Sequence, residues 1–113
     1  TNTVSLIDCD QLSATRIIKR ITLANNPDQF QLIDNILLYQ SGGNGSRASI
    51  YAYDLTTDTE SVKWSQLENL FAAEGFYYDR TWRTLYAVND GGFHNTYASG
   101  PRFNCVFEYV LDY

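Results

Sequence analysis

Apolar and polar residues alternate along much of this chain with the period of two that is typical of β-strands. The alternation is clear in the second run, where Ile17, Ile21 and Leu23 fall on one side of a strand whose other side carries Arg16 and Arg20. Stretches rich in Asn, Asp, Gly and Thr separate such runs, and these residues favour turns. The pattern predicts an all-β fold of mainly antiparallel strands with less than about 15% helix.

A pair of strand-like runs occurs twice in the chain. In each copy a run that contains Leu-Tyr is followed, after a Gly-rich turn, by a run with alternating aromatics that closes on an acidic residue. The Leu-Tyr pairs at Leu38 and Leu85 lie 47 positions apart, and a partial third copy ends at Asp8, 46 positions before Asp54. A repeat of this length built from short strands is typical of β-propeller blades.

The repeat predicts an antiparallel β-propeller segment of about two and a half four-stranded blades. We divide residues 1–113, a single partial domain, into four parts, which are the outer hairpin of one blade (1–24), a full blade (25–64), a linker (65–75) and the last blade (76–113). So few blades cannot close a ring, so we expect completion by other sequence or by sister copies. A helix competes with this interpretation only in the linker, where Ser65 and Glu68 have capping-box spacing and Gly75 could cap the end.

The charge balance argues against a nucleic-acid partner. Eight basic and thirteen acidic side chains give a net charge of −5, and no basic cluster occurs beyond Arg16, Lys19 and Arg20. A phosphate backbone would mostly be repelled by such a surface. No apolar run approaches the roughly 20 residues that a membrane helix needs, so we expect no membrane insertion.

Two features favour an extracellular, secreted protein. Cys9 and Cys105 lack CxxC spacing and have one His to accompany them, which favours disulfides in an oxidising compartment over zinc. In a propeller they would lie in blades that are not neighbours, so each should bond outside the segment or stay unpaired; a self-contained domain would join them to each other. Asn44 begins an N-glycosylation sequon in a loop-like, Gly-rich stretch.

No group of residues predicts catalysis, and we expect the chain not to be an enzyme. His94 has no Ser, Cys or carboxylate at a spacing that would make it a general base. The stretch around it is longer than a hairpin needs, and long loops on rigid sheets are frequent binding surfaces. The candidate binding loop contains Phe93, His94, Asn95 and Tyr97.

Other polar and aromatic residues are expected to have structural roles. Asp8, Asp54 and Asp112 lie at strand ends, where an aspartate usually accepts hydrogen bonds from nearby turn amides. Trp64 and Trp82 are expected to pack between blades.

Several of these runs together resemble the C-terminal part of olfactomedin domains. The resemblance is carried by residues 30–39 and 51–54 and by residues 77–91, whose sequence YYDRTWRTLYAVNDG is similar to the family's LDYNPRDRxLYAWNDG stretch. It spans nearly the whole chain. It implies a secreted five-bladed propeller that acts in cell adhesion and matrix assembly through protein–protein contacts, without catalytic activity.

The resemblance also implies a calcium ion in the central channel, held by the oxygen ligands that hard cations prefer. Asp28 matches a position where the family has an amide ligand. The aspartate of the family's Leu-Asp-Tyr is replaced here by Tyr77, and Asp79, two positions later on the same side of a strand, could substitute only if the register shifts. The family's cysteine corresponds roughly to Ile33, so the family's disulfide is not expected here.

A second function stays open at this point. Exposed Trp and Tyr side chains with amide neighbours would also suit a sugar-binding surface. The chain would then be a secreted, lectin-like module whose copies form a closed ring. A propeller completed by other sequence leaves free strand edges in the isolated chain, whereas a ring of copies covers those edges by head-to-tail contacts.

We expect Asn44 to carry a glycan when the protein is made through a secretory route, because its Gly-rich loop leaves it accessible. Asn44→Gln should then lower the mass of the secreted protein without unfolding it, since little core depends on this loop. Mass spectrometry of the two proteins checks this, and an unchanged mass would remove a main support for the extracellular assignment.

Overall fold

A computed structural model describes residues 2–10, 16–42, 47–71, 73–89 and 105–113. These residues form nine strands, which are β1 (Thr3–Asp8), β2 (Arg16–Thr22), β3 (Gln29–Ile33), β4 (Ile36–Ser41), β5 (Ser49–Asp54), β6 (Thr59–Trp64), β7 (Ala73–Asp79), β8 (Thr84–Asn89) and β9 (Cys105–Val110). All paired strands are antiparallel, and the described residues contain no helix. The predicted all-β class is confirmed. Accordingly, this part of the chain has no helix long and apolar enough to cross a membrane.

The competing helix in the linker does not form. Residues 65–71 are turns, and Gln66 and Asn69 have φ angles of 46° and 64°, which a right-handed helix excludes. The segment instead pairs with the main chain at Ala48, whose N–H donates to the Leu70 carbonyl at 2.8 Å and whose carbonyl accepts from the Leu67 N–H at 2.9 Å. Both leucines are buried, so their packing outweighs the capping-box signal.

The strands form three sheets in which every strand pairs with its neighbour in the chain. The first sheet is the hairpin β1–β2, the middle sheet has the order β3–β4–β5–β6, and the third sheet has the order β7–β8–β9. We call the face of each sheet that looks toward the next sheet its front, and the opposite face its rear.

Aspartates shape the turns between several strands. Asp54 Oδ1 accepts from the N–H groups of Thr56 and Thr57, and Asp79 Oδ1 accepts from those of the second and third residues after it. Asp8 bonds the Asp10 N–H in the same way at 3.0 Å. The predicted turn role is therefore confirmed for Asp8 and Asp54. Asp112 instead pairs with the Arg83 guanidinium at 2.9 Å.

The middle sheet has two apolar faces because side chains alternate along each strand. Its rear packs on the first sheet, and the buried residues of this contact are Ile21, Leu23, Leu37, Tyr39 and Tyr53. Its front packs on the third sheet through a larger cluster, which comprises Leu38, Ala48, Ile50, Trp64, Leu67, Leu70, Tyr78, Leu85 and Ala87. The three sheets are thus stacked face to face in the order of the chain.

The two Leu-Tyr pairs lie in corresponding strands, β4 and β8, but they are one residue out of step. Leu38 is on the front of its sheet and Leu85 on the rear, and the two meet in one cluster. Two residues separate β3 from β4, whereas four separate β7 from β8. The structural repeat is therefore 46 positions for β3 and β7 and 48 for β4 and β8, and the alignment at 47 positions is wrong by one residue for both pairs of strands.

Polar contacts fasten the first sheet to the outer part of the middle sheet. Lys19 Nζ lies 2.5 Å from Asp58 Oδ1 and donates to the Leu55 carbonyl at 3.3 Å. Glu60 accepts from the Ala24 N–H at 2.8 Å and from the hydroxyl of buried Tyr39. Burial and the hydrogen bond to Glu60 together raise the pKa of Tyr39 to about 12.

This raised pKa predicts a loss of stability in strong alkali. The Tyr39 hydroxyl ionises near pH 10 in the unfolded chain and near 12 in the folded chain, so its contribution is complete below pH 10 and declines between pH 10 and 12. The free energy of unfolding should fall in that window by up to about 1.4 kcal/mol per pH unit for this group. Tyr39→Phe should make the slope shallower, and urea unfolding at several pH values measures it. An unchanged slope in the variant would contradict the assignment.

Candidate functional site

The most conspicuous surface in the described residues is the front face of the third sheet, which no other described sheet covers. Four large apolar side chains on this face are half exposed or nearly so. They are Tyr77 (58% exposed), Val88 (45%), Val106 (59%) and Val110 (76%). Tyr86 and Glu108 lie between them, since register pairs Tyr77 with Tyr86 and Tyr86 with Glu108.

The middle sheet provides an internal reference for this face. Gln40 pairs with Ile50 in the middle sheet, and Val88 pairs with Val106 in the third sheet. Gln40 is four residues after the start of β4 and Val88 is four residues after the start of β8, so the two pairs occupy equivalent positions. Gln40 and Ile50 are completely buried, and Ile50 belongs to the cluster in which the linker leucines and the third sheet pack on the front of the middle sheet. The same positions are exposed in the third sheet because the described residues supply no following sheet.

The rear of the middle sheet is also only partly covered. Phe30 and Leu32 on β3 are 41% and 58% exposed, whereas the equivalent residues of β7, Phe76 and Tyr78, pack into the cluster between the middle and third sheets. Tyr78 is 1% exposed. The difference follows from strand number, because the first sheet has two strands and leaves the rear of β3 uncovered.

Among the described strands, an edge without a partner strand lies beside each uncovered face. The Leu111 N–H donates to the Arg83 carbonyl at 2.8 Å, and hydrogen-bonded pairs alternate along an antiparallel ladder. Val106, Glu108 and Val110 therefore direct their backbone groups away from β8. Such an edge readily accepts another strand.

The inner strands of the middle and third sheets are joined by one amide side chain. Gln31 Nε2 donates to the Tyr78 carbonyl at 2.8 Å, and Gln31 Oε1 accepts from the Tyr78 N–H at 2.6 Å. An added Cβ at Gly75 would lie 3.6 Å from Gln29 Cγ, so β3 and β7 run side by side in the same direction. Nothing in the residue types around Gln31 predicted this contact.

A cleft of about 370 Å³ lies between the β3–β4 and β7–β8 turns and is lined by residues 31–34 and 77–81. Arg80 Nη1 reaches across it to Asp34 Oδ2 at 2.7 Å, but both side chains are more than half exposed, so the pair adds little stability. Gln31 and Asp79 use their polar atoms on the Tyr78 backbone and the turn amides. The cleft is therefore a structural contact between the middle and third sheets.

The predicted calcium ligands are not brought together. Asp28 precedes β3 and Asp79 ends β7, so they lie at opposite ends of neighbouring parallel strands, about 15 Å apart along the strand direction. Asp79 shares the front face with Tyr77, as expected from the sequence. Within the described ranges, no group of three or more His, Cys, Asp or Glu side chains is close enough to hold a metal ion.

Several predicted site residues fall outside the described residues. They are the glycosylation site Asn44 and the binding-loop residues Phe93, His94, Asn95 and Tyr97. Cys9 is exposed and carries a free thiol, and Cys105 begins β9. The predicted bonding of both cysteines outside the segment stays a prediction.

The two tryptophans behave differently. Trp64 packs between sheets as predicted, with its ring 4.7 Å from that of Tyr78 and its indole N–H donated to the Asp112 carbonyl. The prediction for Trp82 is wrong, because this side chain lies in the β7–β8 turn and is 73% exposed.

Comparison with known proteins gave no match among protein-family models, curated proteins or solved structures. The olfactomedin resemblance therefore rests on the residues quoted for it alone.

The Gln31 contact predicts a specific loss of stability. Gln31→Glu removes the donor to the Tyr78 carbonyl and leaves that partly buried group unpaired, which should lower the free energy of unfolding by about 1–3 kcal/mol. Gln29→Glu, a matched change two residues earlier on an exposed side chain, should cost much less. Urea unfolding of both variants measures the difference, and equal losses would show that the Gln31 contact adds nothing.

Proposed function

We propose that the three sheets are successive blades of a β-propeller, and that the chain is a non-catalytic interaction module that acts by docking onto further β-structure. The observation that carries this proposal is the contrast between equivalent positions. Ile50 is fully buried in the cluster that the linker and the third sheet form with the middle sheet, whereas Val106 is 59% exposed on a face that no described sheet covers. An apolar face of this kind is costly in water and marks a protein-interaction surface.

The arrangement of the sheets supports the propeller. They stack face to face in chain order, and the inner strands β3 and β7 lie side by side with the same direction. The middle sheet has the four strands of a complete blade. Among the described residues, the first sheet then has the two outer strands of a blade and the third sheet has the three inner ones.

The olfactomedin-like identity belongs to the same proposal. The resembling residues 77–89 form the last three residues of β7, the following turn and β8, so the motif lies within one hairpin of the third sheet. Asp79 caps the turn and Leu85 is buried, which gives both residues a structural reason for their positions. A calcium ion would need ligands besides Asp28 and Asp79, because these two lie at opposite ends of their strands.

An extracellular adhesion or matrix-assembly role agrees with this picture. The net charge of −5, the sequon at Asn44 and two cysteines without metal-site spacing are compatible with a secreted glycoprotein. The exposed face is mainly valine and tyrosine, which favours a protein partner over a sugar. The alternative lectin-like ring would place sister copies on the same face.

Self-association in solution tests the proposal. Isolated chains should self-associate through this face, and burial of Val106 and of Val110 should each contribute roughly 1.5 kcal/mol. The double change Val106→Lys and Val110→Lys should weaken association at least about tenfold, which corresponds to 1.4 kcal/mol. Val62→Lys is the matched control, because Val62 is a strand valine of similar exposure (52%) outside this face. Analytical ultracentrifugation measures all three proteins.

A monodisperse wild-type monomer with a cooperative melt would contradict the proposal, since such a chain would need no further sheet. A single closed oligomer that the double change dissociates would favour the ring of sister copies over completion by other sequence.

A further inference from the structure

We propose that the rear of the middle sheet and the edge of β1 together form a docking site for a β-hairpin supplied by another polypeptide segment. This hairpin would pair with β1 and cover Phe30 and Leu32. The hairpin would extend the first sheet from two strands to four. This inference rests on the proposed function and names the partner that one end of the stack would take.

One edge of β1 has no partner strand in the described part of the chain, and this edge faces the place where the hairpin would lie. The Leu23 N–H donates to the Asn2 carbonyl at 2.8 Å, so the hydrogen-bonded positions of β1 are Asn2, Val4 and Leu6. Thr3 and Ser5 consequently direct their backbone groups away from β2. In the middle sheet, β5 uses the corresponding edge to pair with β4.

The apolar floor of the site is continuous with an interface already formed. Leu37 and Tyr39 of β4 are buried against the first sheet, and the Phe30 ring lies 6.5 Å from that of Tyr39. Phe30 and Leu32 extend this surface inward along β3, beyond the reach of β1 and β2. A sheet of four strands would cover the whole surface.

The chain itself contains the kind of hairpin that fits. The β3–β4 hairpin lies directly ahead of β5 and turns apolar side chains toward the third sheet, among them Ile33, Ile36 and Leu38. These cover the inner strands of the next sheet, where Tyr78 is 1% exposed. The occupant should therefore be two antiparallel strands with apolar residues at alternate positions of the face that meets β3.

The test is a graft of the chain's own hairpin. Strands β1 and β5 are equivalent with an offset of 46 positions, so a second copy of residues 27–46 placed directly before Thr1 has the register and connection length of the natural hairpin. We expect the amide protons of Thr3 and Ser5 to exchange at least about tenfold more slowly in the grafted chain, because they gain hydrogen-bond partners. Hydrogen exchange followed by NMR measures each amide.

Two variants keep the test specific. Changing Ile36→Lys and Leu38→Lys in the grafted copy alone should abolish the protection, because these side chains would meet Phe30 and Leu32. Leu32→Lys in the resident sheet should abolish protection in the grafted chain but leave exchange in the ungrafted chain unchanged, since Leu32 is 58% exposed there.

Unprotected Thr3 and Ser5 in the grafted chain would overturn the inference, as would protection that survives either set of lysines. Failure here is distinguishable from failure of the proposed function, because that function is tested at Val106 and Val110 on the opposite end of the stack. If the valine variants weaken self-association while the graft leaves the Thr3 and Ser5 amides unprotected, the docking hairpin is rejected and the front-face interaction remains.

Discussion

The structure depends on the burial of both faces of the middle sheet. Leu38 and Ile50 on the front and Tyr39 on the rear have no exposed surface, and they can be dry only because a sheet lies on each side. A four-stranded sheet with two apolar faces is stable only between two layers, and the same rule then applies to the layers themselves. The third sheet satisfies the rule on its rear and violates it on its front. The proposed function follows from that single imbalance.

Polar contacts refine this stacking at its two ends. At the outer end, Lys19 and Glu60 connect the first sheet to the middle one with contacts to Asp58, Tyr39 and the backbone of Ala24. At the inner end, Gln31 satisfies both backbone groups of Tyr78. The partly buried bonds of Tyr39 to Glu60 and of Gln31 to the Tyr78 backbone are worth more than surface ion pairs such as Arg80 with Asp34. They fix how neighbouring sheets are placed, while apolar burial supplies the attraction between them.

Much of the local structure was predictable from the sequence. Alternation identified the strands, and stretches rich in Asn, Asp, Gly and Thr marked the turns between them; the structure has such a turn at Asp34-Asn35 between β3 and β4, with Asp34 at a φ of 53°. It was harder to predict toward which face of its sheet each residue points. Two extra turn residues before β8 shift its register relative to β4, so the most obvious sequence repeat pairs Leu38 with a residue that faces the opposite way. Turn length, which the Leu-Tyr motif does not report, decides this.

The sites were less predictable than the strands. Strand β9 reads Cys-Val-Phe-Glu-Tyr-Val, with apolar residues on both faces, and that pattern is a usable signal that both faces become covered. Gln31 gave no such signal, because an amide in a strand is equally compatible with solvent. The prediction for Trp82 failed because a large aromatic side chain suggests packing even where a turn exposes it.

Hydroxyl-radical footprinting of the assembled protein tests the central claim most directly. Tyr77 on the front face and Trp82 in the nearby turn are 58% and 73% exposed in the isolated chain, and both side chains react readily with the radical. The account predicts that assembly protects Tyr77 while Trp82 keeps its reactivity, because only Tyr77 lies under the added sheet. Equal reactivity of both residues before and after assembly would contradict the claim that another sheet covers this face.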